Sequence, residues 1–148
     1  MREILFRAKN LYSNEWVDGF LVASKCNTYP DGFEMITYQG INHDELDDYQ
    51  PDFLSFHVDP ETIGQFTGLT DKNGKKIFEG DICRFREWSK GEMCWVGKVH
   101  WEHQQFMISG DRNKECETMF KLCMSRFIPE NIEVIGNIHD NPELLETP

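Results

Sequence analysis

A mainly β chain built of antiparallel strands is predicted by three features of the sequence. Apolar and polar residues alternate with period two in several short stretches, and turn-forming residues punctuate them. With 39% apolar and 13% aromatic content, 148 residues suffice to build a core. That length makes one domain or two very small ones. The text divides into a β region over 1–62 carrying an acidic loop and a second region over 63–148, with one compact unit over 1–148 as the alternative.

The elements follow in order. Ile4, Phe6 and Ala8 alternate with charged or polar neighbours, Leu5 apart, and mark a first strand over residues 2–9. "LYSNE" turns the chain, Trp16 to Val22 reads as the antiparallel partner, and "GFEMITYQG" is a third strand bounded by glycines. In "FLSFHV", Leu54, Phe56 and Val58 share one face, with Phe53, Ser55 and His57 on the other. "DPET" offers one helical turn or a bend. Asn73-Gly74 joins Phe66–Leu69 to Ile77–Phe78 as a hairpin, because both turn residues tolerate positive φ. Glu79 and Asp81 flank Gly80 in a second tight turn before "DICRFREW". Trp95, Gly97, Val99 and Trp101 share the buried parity of a strand whose other face holds Lys98 and His100, and "QQFMISGDRN" adds another strand and turn. "CETMFKLCMSRF" fits a helix through Met119, Cys123 and Phe127 and is also short enough for a strand; the reading leans to a helix. "IEVIGNI" is a buried strand. In "NPELL", Asn141 caps and Pro142 opens a short helix, so one or two short helices complete the expectation.

Charge is unevenly spread. The net value is −11, and residues 26–71 hold ten acids and no Lys or Arg, whereas residues 72–126 carry a local excess of three positive charges. Five of those acids lie in "NHDELDDYQPD" at 42–52, where turn formers and mutual repulsion suit an exposed, solvated loop. The opening "MREILFRAKN" has no 7 to 15 residue apolar run, so neither a signal peptide nor a membrane anchor is expected, and the cytoplasm is the expected location.

No metal or cofactor is expected. A calcium loop starting at Asp71 needs an oxygen ligand, Gly and Glu at its fifth, sixth and twelfth positions, where Lys75, Lys76 and Ile82 stand. Cys26, Cys83, Cys94, Cys116 and Cys123 contain no C-x-x-C pair. A zinc site would have to assemble Cys94, His100 and His103 with Cys116 or Cys123, without the usual paired ligands; buried thiols are the simpler reading. Glu79, Asp81 and His100 are the nearest approach to acid–base candidates, and no motif links any His to a nucleophile, so no catalytic residue is assigned.

"TIGQFTGLTDKNGKKIFEGDI" in mid-chain and "IEVIGNIHDNPELL" near the end resemble the YopX family of phage and prophage proteins. The likeness extends to "REILFRA" followed by Trp and Gly, and to "GKVHW"; the cysteines and the long "GDRNKECETMFKLCMSRFIPEN" depart from it. It makes Gly68, Asp71, Asn73, Gly74, Glu79, Gly80 and Asp81 a family signature turn. The resemblance implies a phage origin, a small cytoplasmic protein without an assigned reaction, and an SH3-like β-barrel in the 63–148 region beginning near Gly80. It supplies no catalytic residue.

Two readings of function follow. The first is a non-catalytic protein-binding or adaptor module acting on a host or phage protein or on a second copy of itself, with the acidic residues 42–61 as one surface on offer. The second is nucleic-acid binding through Arg84, Arg86, Trp88, Lys90, Lys98 and His100, where cations would track phosphates and aromatics would stack bases. The acidity of the whole chain opposes a polyanion and ranks this reading second.

Overall fold

The computed structural model describes residues 3–24, 32–38, 53–87, 93–102, 104–109, 120–121 and 132–146. It divides into two compact units, one over Ile4–Gln65 and one over Met1–Glu3 with Phe66–Pro148.

The first unit is an antiparallel sheet. Strands β1 (Phe6–Lys9), β2 (Trp16–Ser24), β3 (Gly32–Tyr38) and β4 (Phe53–Val58) lie side by side in that order. The other edge of β1 takes Gly64 and Gln65, the first residues of β5 (Gly64–Thr70). The period-two pattern does what it promises. Ala8, Met35 and Val58 are buried, with Phe6, Val17, Leu21, Phe33, Phe56 and Ile63 packed on them. The cross-strand pairs Leu21 with Met35, Met35 with Phe56 and Phe33 with Val58 place these side chains on one face.

"LYSNE" turns because Asn10 replaces missing backbone partners: its Oδ1 accepts hydrogen bonds from Tyr12 N (2.8 Å) and Ser13 N (3.3 Å). Asn10 also bridges Val58, with Leu11 N donating to His57 O and Asp59 N to Lys9 O. The end of β4 is thereby tied to the end of β1, and the sheet curls around its core. Gly19 lies close against the backbone of β3: a Cβ there would collide with the carbonyl oxygen of Ile36 and come within 2.9 Å of its carbon.

The second unit is a five-stranded antiparallel sheet. β7 (Asp81–Glu87), β8 (Met93–Glu102), β9 (Gln105–Ser109) and β10 (Phe120–Lys121) form a meander, and β11 (Ile132–Asn137) returns to pair with β7. Ahead of it, β5 and the short β6 (Lys76–Phe78) make the hairpin around Asn73-Gly74. Its core joins Ile77, Cys83, Val99, Phe106, Ile108, Ile132 and Val134, with Leu69 against them.

Three expectations are corrected. No α-helix occurs among the described residues: "NPELL", expected as a short helix, forms a 3-10 turn at Pro142–Leu145, and the one turn offered by "DPET" is also 3-10, at Pro60–Thr62. Each has its proline in the first turn and only three or four residues before its apolar neighbours pull the chain into a strand or end it. In "CETMFKLCMSRF", Phe120 and Lys121 pair with Ile108 and Met107, so the ladder on β9 overrides the helical spacing there; Met119, Cys123 and Phe127 lie outside the described residues. The five-stranded sheet is also not a closed barrel, since β10 and β11 are its two edges and no ladder among the described residues joins them. Trp101, read from parity as core, is 49% exposed: it ends the buried face of β8 and meets Phe106 edge-on, with centroids 4.7 Å apart.

Candidate functional site

The signature residues fold as two backbone clamps. In the first, Asp71 Oδ1 accepts from Asn73 N (2.8 Å) and Lys75 N (2.9 Å), Gly74 N donates to Asp71 O, and Gly74 takes a φ of +79°. The other carboxylate oxygen, Oδ2, accepts from Val134 N at 3.0 Å, so the turn also holds β11. Lys72 adds its N to Ile132 O and its Nζ to Glu133 Oε2, both bonds short. Asp71 is only 3% exposed. Burial alone raises its pKa, but the amides of Val134, Lys75 and Asn73 and the Lys75 charge outweigh burial and hold the carboxyl below its ordinary value. The carboxylate thus answers three N–H groups.

The second clamp follows at once. Asp81 is buried and its Oδ2 accepts from Phe78 N at 2.8 Å. Gly80 N donates to Val99 O and Gly80 O accepts from Ile138 N, while Glu79 Oε1 accepts from Trp101 N at 3.2 Å. The acid–base candidates Glu79 and Asp81 therefore answer backbone amides, and His100 Nε2 lies 3.3 Å from Glu102 Oε2 with Nδ1 3.4 Å from Ser109 Oγ. Gly68, exposed in β5, is the remaining signature residue and has positive φ. Among the described residues no three His, Cys, Asp or Glu gather as a metal would need. Cys83 is a buried thiol of the core, and the other cysteine side chains and His103 lie outside the described residues.

Part of the cationic set is gathered by the ladder. Arg84 opposes Val96, and Ile82 opposes Lys98 two residues from His100; alternation puts Arg84, Lys98 and His100 on the face opposite Cys83 and Val99, while the side chain of Arg86 lies outside the described residues. Arg84 and Lys98 are exposed, and Glu133 sits between Lys72 and Arg84, 4.0 Å from the guanidinium. Trp101 belongs to the other face, and Trp88 and Lys90 lie outside the described residues. Cations and the described tryptophan of this stretch are separated by the sheet itself.

A second surface was not singled out by sequence reasoning. On the outer face of the first sheet, Phe20 is 57% exposed, beside exposed Val22 and opposite Ile36, and Tyr12, 73% exposed, meets His57 edge-on. Arg7 and Lys9 both lie over the Trp16 ring, at 4.7 and 5.5 Å. Glu34 Oε2 accepts from Ser55 Oγ at 2.6 Å, with His57 Nδ1 3.7 Å from its other oxygen. The signal was present in "WVDGFLVAS": large apolar residues occupy both parities, which a strand with one solvated face does not need.

Comparisons place these observations. A family model described as YopX protein matches residues 5–146. No curated protein matches. A crystal structure of protein EF1440 from Enterococcus faecalis is similar over 98% of this chain and 99% of its own, with 22% identity and a TM-score of 0.52, a likeness of fold.

Proposed function

From the premise that the chain belongs to the YopX family, its model matching residues 5–146, we propose that it is a non-catalytic protein-binding or adaptor module. The observation that supports this reading is the exposed apolar outer face of the first sheet. Among the described residues Phe20 and Val22, both exposed, lie together on that face beside Ile36, whereas exposed Leu54 shares the core face of β4. Such a patch marks an interaction surface, because covering one Phe recovers about 1.5 to 3 kcal/mol. The partner is a protein of the host or the phage, met in the cytoplasm; no helix among the described residues is long and apolar enough to cross a membrane. An SH3-like curl of the second sheet belongs to the same proposal, supported by its meander and returning strand.

The test is capture with the tagged chain from nuclease-treated lysates of infected cells, in parallel with a folded Phe20→Glu variant. A partner retained by the wild type and lost by the variant is expected. Identical partner sets would sink the reading.

Nucleic-acid binding is the second reading, supported by the strand alternation that Arg84, Lys98 and His100 share. Titration with labelled single- and double-stranded DNA at two salt concentrations separates the two. No salt-sensitive binding is expected, since the net charge of −11 repels phosphates and Glu133 sits within reach of Arg84. Tight, salt-sensitive binding weakened by Arg84→Ala would reverse the ranking.

A further inference from the structure

We infer that the outer face of the first sheet docks a second copy of the chain about a two-fold axis over Phe20, setting Arg7 of each copy against Glu34 of the other. The inference rests on the protein-binding reading and names the partner. Three observations carry it. Phe20, with Val22 beside it and Ile36 opposite, gives the face an exposed apolar centre. Arg7 opposes Asp18, two residues before Phe20 on β2, and Glu34 opposes Val22, two residues after it. Arg7 and Glu34 thus stand at equal steps on opposite sides of Phe20, one on β1 and one on β3, so a two-fold axis through Phe20 interchanges their positions.

Such self-complementarity is what an isologous contact requires, each residue meeting its counterpart twice. Charge points the same way. Among the described residues of this face, Arg7 and Lys9 offset Asp18 and Glu34, whereas the chain as a whole carries −11. At such a locally neutral face two equally acidic molecules can approach without the face itself adding repulsion. Because the sheet curls, the contact is confined to a patch around Phe20, which makes a transient dimer, with a Kd on the order of 10 to 100 µM.

Sedimentation velocity of the full chain over a concentration series reaching about 1 mM tests this. A concentration-dependent dimer is expected for the wild type. Phe20→Glu, Arg7→Glu and Glu34→Arg should each weaken it about ten-fold or more, and the Arg7→Glu/Glu34→Arg double variant should restore it. Restoration is the reading that a merely structural role for either residue would not give. If Arg7→Glu fails to fold, the exposed Val22→Lys reports on the same contact. A wild type that stays monomeric throughout, or a double variant no better than the singles, overturns the inference. In the first case, Phe20-dependent capture of another protein would leave the protein-binding reading standing. Dimers with capture indifferent to Phe20→Glu would instead leave the dimer and remove that reading.

Discussion

Asp71→Asn is expected to cost the fold about 2 to 4 kcal/mol, measured as a fall in the urea midpoint at neutral pH. The amide keeps an oxygen for Asn73 N and Lys75 N but turns an NH2 group toward Val134 N, so two donors face each other in a buried place. The charge matters as well as the shape. Asp71 has its pKa lowered in the folded chain relative to an ordinary value of 3.8. A depressed carboxyl contributes stability that is fully present above the unfolded value and is lost as pH falls through the folded one. Wild-type stability should therefore decline as the pH drops below about 4, and the Asn variant should lack Asp71's share of that decline. Equal slopes in the two proteins would show that the Asp71 charge adds nothing.

Gly19→Ala should be comparably damaging for an unrelated reason, about 3 kcal/mol or a failure to fold. The added methyl meets the carbonyl of Ile36, which is backbone in the adjoining strand, so no side chain can swing aside. The informative control is Gly74→Ala. There φ is positive but nothing lies within 4 Å of the new carbon, so only conformational strain is added, about 1 kcal/mol. Thermal unfolding of the two variants side by side checks this, and a milder effect at Gly19 than at Gly74 would contradict it.

The strands were legible wherever one face alone is apolar. Val58 with half-buried Phe56 in β4, and Val99 with Gly97 in β8, announce their burial by period two. So does the Asp71–Gly74 turn, whose residue types serve a local need. What was not legible is long-range. That Asp71 also holds Val134 depends on residues 63 apart, and nothing in "DKNG" says which amide its second oxygen will meet. Phe120 and Lys121 are strand only because Ile108 and Met107 stand ready to pair. Of the site, alternation puts Arg84, Lys98 and His100 on one face, with Lys90 and the Arg86 side chain outside the described residues, but parity misplaced Trp101, which lies at a strand end where the core stops. Phe20 and Val22 escaped notice because exposed apolar residues on a strand look like core until the covering layer is sought.

Strand β11 is the outermost member of its sheet, and the outward backbone of such a strand is a template on which a foreign chain can polymerise. The signature turn occupies that template: Lys72 N takes Ile132 O and the Asp71 carboxylate takes Val134 N. A turn whose carboxylate answers backbone amides can thus guard the edge against pairing, and protonating Asp71 weakens its hold on Val134 N.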